Sequence, residues 1–148
     1  MMHSRRGAGL IDALVSILLL GTAGIVFSAS FPAGFSALRQ SSEATKATAI
    51  AQKKTEQVRS LEYGGLTYEN LLAGGMVDVS PTSSPYTFTS VDNVGGELLS
   101  GDGTLTITDE TADVKRVVVS VSWTSQNGIA RNVTLTTLIA DSTPWVKT

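Results

Sequence analysis

Few residues in this sequence could do chemistry, and they are poorly placed for catalysis. The 148-residue chain has no cysteine and a single histidine. That histidine, His3, lies in a basic leader at the N-terminus. Beyond the leader there is no member for a thiol nucleophile, a sulfur metal site or a Ser-His-Asp relay, so we expect no enzyme, no cofactor and no metal site. Four acids, Asp102, Asp109, Glu110 and Asp113, fall in predicted loops before a hairpin, where oxygen ligands for a cation are conceivable. Their spacing matches no calcium-loop motif, and solvated turn residues explain them better. Asn132-Val133-Thr134 has the form of a glycosylation sequon but sits inside a predicted strand. Basic residues form no cluster and the net charge is -2, so direct nucleic-acid binding is not expected.

The acid in an unusual setting is Asp12. It follows Gly7 by five residues and stands at the edge of an uncharged run from Ala13 to Leu38. That run is about 26 residues, or roughly 39 Å of helix, enough to cross a hydrocarbon core of roughly 30 Å with some tilt. Arg5 and Arg6 precede it, and the positive-inside rule keeps that end cytoplasmic and exports the rest. The same features allow a secretory signal cut near Ser28-Ala29-Ser30, or a twin-arginine signal begun by Ser4-Arg5-Arg6. Asp12 helps neither, and the helical pattern continues for about thirty residues past Ser30. As a plain membrane residue, Asp12 would only reach back to the interface at small cost.

Arg5-Arg6-Gly7 followed by Ala8-Gly9-Leu10-Ile11-Asp12 resembles the class III signal of type IV pilins and pseudopilins. Gly7, Leu10 and Ile11 fit the family pattern, while Ala8 stands for its usual phenylalanine and Asp12 for its usual glutamate. The resemblance implies cleavage between Gly7 and Ala8 by a prepilin peptidase, and N-methylation of Ala8. It further implies assembly through the apolar helix, with Leu10 and Ile11 packed among subunits. Asp12 would pair with the N-terminal ammonium of a neighbouring subunit. The implied partners are other pilin or pseudopilin subunits and an inner-membrane assembly platform. The implied location is the bacterial inner membrane, with the N-terminus cytoplasmic and the head exported, and then a pilus or pseudopilus. The segment Ala47 to Leu61 is similar to that of PilV-like minor pilins and GspI-like pseudopilins.

Gly21, Gly24, Pro32 and Gly34 are poor helix formers, and Pro32 also lacks a backbone donor. Gly21 and Pro32 are therefore expected weak points of the membrane helix. From Ser36 to Leu61 the chain reads as a polar helix with a thin apolar stripe of Leu38, Ala47, Ile50, Ala51, Val58 and Leu61. Glu43 with Lys46, and Lys53 with Gln57, suit a solvated face. Tyr63-Gly64-Gly65 should end this helix as a glycine cap. A short helical turn is expected around Leu71 and Leu72, then a proline loop through Pro81 and Pro85.

The remainder reads as strands. Tyr86 to Val91 and Thr104 to Thr108 alternate, and Lys115 to Thr124 places Val117, Val119, Val121 and Trp123 on one face. Asn127-Gly128 signals a hairpin turn, and Arg131 to Ile139 returns with Val133, Leu135 and Ile139 aligned. The expected class is α+β and pilin-like: a long N-terminal hydrophobic helix whose C-terminal half packs on a small antiparallel sheet. We divide the chain into a leader over 1–7, a membrane and assembly helix over 8–38, and a soluble head over 39–148. Within the head we expect a helix over 39–62, a loop over 63–85, a sheet over 86–140 and a tail over 141–148. The expected function is that of a minor pilin or pseudopilin in a pilus, type II secretion or DNA-uptake system. The alternative is a signal-anchored exported β-domain or adhesin that is not built into a filament.

Overall fold

The computed structural model describes residues 5–142. Its architecture is α+β: one long N-terminal helix, two short helices and a four-stranded antiparallel sheet in the order β1-β2-β3-β4. Helix α1 is Arg5–Arg59. It is followed by α2 (Tyr68–Ala73), β1 (Tyr86–Thr87), α3 (Val94–Glu97), β2 (Asp102–Thr111), β3 (Val114–Thr124) and β4 (Ala130–Ala140). The chain forms two compact units, one ending at Ser41 and one beginning at Ser42. Leader residues 1–4 and tail residues 143–148 lie outside the described residues.

The second unit holds the core. Ala47, Ala51 and Val58 on α1 are buried with Val117, Val119, Val121 and Trp123 of β3, Leu105 of β2 and Ile139 of β4. Alanine at two of these helix positions permits close approach of the backbone to the sheet. Period-two alternation puts every second residue of β3 inside, as its spacing indicates. Contacts at the two ends of this unit fix its direction. Trp123 Nε1 donates to Glu43 Oε2 at 3.4 Å, and the Tyr63 hydroxyl donates to the carbonyl of Ala112 at 2.8 Å. Hence α1 runs opposite to β3, entering beside the β3–β4 turn and ending beside the β2–β3 turn.

Two local expectations change. Helix α1 stops at Arg59 and leaves through a turn whose left-handed residue is Glu62, at φ 57°, where a glycine cap at Gly64-Gly65 was expected. Gly65 has a different role: a Cβ there would run into the Leu61 carbonyl. The strand expected over Tyr86–Val91 is only Tyr86–Thr87. The Asp78 carboxylate takes the Ser90 and Val91 amides, Oδ1 lying 3.1 and 2.9 Å away, and Asp92 N turns back to Phe88 O. With those donors diverted, the ladder cannot continue. The glycine-rich stretch after it closes into α3, with Val94 buried. The expected turn of helix near Leu71 forms as α2, N-capped by Thr67.

The hairpin forms where Asn127-Gly128 marks it, through a three-residue turn. Gly128 N donates to Ser125 O, and Gly128 alone is left-handed there, at φ 76°. All eleven residues of β4 pair with β3. Ser125 N donates to Ile129 O and Asp141 N to Asp113 O, each at 2.8 Å. Hydrogen-bonded pairs alternate along an antiparallel ladder, so the odd-numbered residues of β4 face β3. The N–H and C=O groups of Ala130, Asn132, Thr134, Thr136, Leu138 and Ala140 point to the open edge.

Candidate functional site

The residues singled out at the N-terminus all lie on α1. Gly7 and Ala8 are in its first turns. Leu10 and Ile11 are each 66% exposed, and Asp12 is exposed beside them. From Gly9 to Leu38, every residue whose burial is described is exposed, including Leu14, Leu18, Ile25, Phe31 and Leu38. Residues Gly9–Arg59 form the one helix, among the described residues, long and apolar enough to cross a membrane. The helix runs unbroken through Gly21, Gly24, Pro32 and Gly34. A proline within it still leaves one carbonyl of the preceding turn without its amide.

Three hydroxyls in this stretch are satisfied within the helix. Ser16 donates to Asp12 O, Thr22 to Leu18 O and Leu19 O, and Ser30 to Val26 O, all within 3.0 Å. Self-satisfied hydroxyls suit a solvent that offers no hydrogen bonds. Sequence reading passed over one feature, although its four-residue spacing is plain. Phe27, Phe31 and Phe35 form a ladder of rings, with centroids 5.8 and 6.4 Å apart. Ser30, Gly34 and Leu38 complete a shallow apolar recess around it.

The second unit contains a buried charge that sequence reading also missed. Lys54 sits between Ala51 and Val58 on the buried face of α1 and is 0% exposed. Its Nζ donates to Met76 O at 2.7 Å and lies 2.7 Å from Asp92 Oδ2. It also stands 5.0 Å from the centre of the Phe88 ring. The exposed Lys53 reaches Asp92 Oδ1 at 2.9 Å. Burial alone would raise the Asp92 carboxyl. The hydrogen bonds and charges of Lys54 and Lys53 outweigh it and hold the group below its ordinary value. Lysine 54 thus ties α1 to the chain at Met76 and at Asp92. The signal available was its position: i+3 from Ala51 and four before Val58. Lys53 and Gln57 therefore do not form a solvated pair; Lys53 turns to Asp92. Nor does Glu43 pair with Lys46, which instead meets Glu97 at 3.3 Å.

Of the four acids read together in sequence, Asp102, Asp109 and Glu110 lie on strand β2 and not in loops, with Asp102 at the opposite end of it from Asp109, Glu110 and Asp113. Asp102 accepts a hydrogen bond from the Thr89 hydroxyl, Asp109 lies opposite Lys115, and Glu110 pairs with Arg116 at 2.6 Å. Asp113 and Asp141 meet through their backbones. Among the described residues, no three His, Cys, Asp or Glu side chains gather as a metal site would require. Asp109, Asp113 and Asp141 do set a negative field at the β2–β3 end. There Tyr63, over whose ring Lys115 sits at 4.8 Å, has its hydroxyl raised above its ordinary value by desolvation and then by these charges.

Comparisons with protein-family models, curated proteins and solved structures give no match. The surface with the most unusual physics is therefore the bare apolar length of α1.

Proposed function

We propose that the chain is a minor pilin or pseudopilin, inserted in a bacterial inner membrane and assembled into a filament through α1. The observation that carries this reading is the conjunction on one helix of Gly7, the Leu10-Ile11-Asp12 opening and an exposed apolar surface as far as Leu38. A helix of that character needs lipid or other helices around it. Exchange between those two surroundings is what a subunit does when it leaves a membrane for a filament. In this reading a prepilin peptidase cuts after Gly7, Ala8 becomes the methylated N-terminus, and Asp12 pairs with the terminal ammonium of a neighbour. Such a pair gains strength from its low-dielectric surroundings. Pro32 and Gly21 mark where the helix gives way most easily on packing.

The alternative is a signal-anchored exported β-domain. Intact mass with N-terminal sequencing of membrane-recovered protein separates the two. A chain starting at Ala8 and heavier by one methyl group supports the filament subunit. A chain starting near Ser30 refutes it. Gly7→Ala should abolish processing. Asp12→Ala should preserve insertion and cleavage while lowering incorporation into filaments, and unchanged incorporation would refute the pairing.

A further inference from the structure

The two ends of the second unit differ in character. Where α1 enters, the carbonyl of Leu99 accepts the amide of Thr124, and the next amide, Ser125, donates to Ile129 O, each at 2.8 Å. One end of β3 therefore holds both Leu99 and Ile129, and their side chains are 59% and 51% exposed. Around them are Gln126, Asn127 and Gly128 of the turn. Three acids at this end, Glu43, Glu97 and Asp102, are set against Lys46 and Arg131; of these, Lys46 and Glu97 pair with each other. At the opposite end Glu56, Glu62, Asp109, Glu110, Asp113 and Asp141 stand against Arg59, Lys115 and Arg116, with Arg59 pairing with Glu56 at 3.2 Å. The entry end is the less acidic of the two and carries two bare aliphatic side chains, Leu99 and Ile129; the other end is more acidic and carries one, Leu138, opposite Arg116.

We propose that the end of this unit where α1 enters rests on the bilayer, with Leu99 and Ile129 set into its polar–apolar interface. The inference depends on the reading of Ala13 to Leu38 as a membrane span. The chain enters the unit at Ser42, four residues beyond that run, so its entry end is the one the chain itself brings nearest to lipid. Aliphatic side chains on the less acidic rim gain by entering the interface. The acidic end would have to bring ionised carboxylates into that interface, a desolvation cost the entry end largely avoids. The contact sets the orientation of the unit before any other subunit touches it.

The absence of cysteine makes the test clean. Single-cysteine variants of the full chain, Leu20→Cys, Leu99→Cys, Ile129→Cys and Ala112→Cys, are labelled with an environment-sensitive fluorophore. Each is reconstituted in phosphatidylcholine vesicles containing lipid that carries a nitroxide near the headgroup or deep in the acyl chain. Position 20 reports the span and should be quenched by the deep nitroxide. Positions 99 and 129 should lose about half their emission to the shallow nitroxide, while position 112 stays unchanged. Quenching at 20 without quenching at 99 and 129 overturns the proposal and leaves the span intact. Equal shallow quenching at 99, 129 and 112 also overturns it, since the unit would then have no preferred end. No quenching at 20 removes the span, and the proposal with it.

Discussion

The two lengths of α1 invert the usual relation between residue type and burial. Its first part, to Leu38, is the most apolar stretch of the chain, and every residue of it whose burial is described is exposed. Its last part is polar by composition and buries a lysine completely, between Ala51 and Val58. The comparison teaches that hydrophobicity states which solvent a surface requires, whereas burial depends on which partners the chain supplies. The first part presents its apolar surface bare and needs an external apolar partner. The second has a sheet made to receive it, and a carboxylate, a carbonyl and a ring to receive its one buried charge.

The largest effect should come from removing the receiver of that charge. Asp92→Ala leaves the ammonium of Lys54 buried without its counter-ion, and a loss of about 3–5 kcal/mol is expected. Chemical denaturation of the full chain in detergent measures it. A cost below about 1 kcal/mol would mean that Met76 O and the Phe88 ring hold Lys54 unaided. Lys54→Met removes the charge itself while keeping a similar volume. Asp92 retains Lys53, so the remaining loss is mainly the unpaired Met76 carbonyl, about 1–3 kcal/mol. The two variants should therefore differ, with the aspartate change the more costly.

Acid should act on the same contact. Because the folded Asp92 carboxyl lies below its ordinary value, its contribution is fully present above the unfolded value of about 4. It is lost as pH falls through the lower folded value. Melting temperature measured from pH 6 downwards should fall below about pH 4, and Asp92→Asn should flatten that fall. The smallest effect belongs to the bare part of the helix. Leu20→Ala should leave melting of the second unit unchanged within about 0.5 kcal/mol. A larger shift would show that the two lengths are energetically coupled.

The long helix, the inward face of β3 and the final hairpin were legible because each repeats a period that physics fixes. So was the short α2, through its leucines. Lys54 was not, because a charged residue on a helix reads as solvated unless its tertiary partners are known, and Asp92 lies far along the chain. Strand β1 was overestimated because alternation through Val91 carries no sign that Asp78 captures two of its amides. The cap at Glu62 was missed because two glycines just after it offered an easier left-handed residue. At the N-terminus, attention to Gly7, Leu10, Ile11 and Asp12 as a motif left the Phe27-Phe31-Phe35 ladder overlooked despite its regular spacing.

The open edge of β4 has a consequence for how its protons behave. Amides at Arg131, Val133, Leu135, Thr137 and Ile139 are locked into the ladder with β3, while their neighbours in sequence donate outward. Deuterium uptake along this strand should therefore alternate residue by residue, slow at odd positions and fast at even ones. Strand β3, bonded on both sides over most of its length, should exchange slowly throughout. Any strand that came to lie along β4 would erase the alternation, leaving a record of its arrival in the even-numbered amides alone.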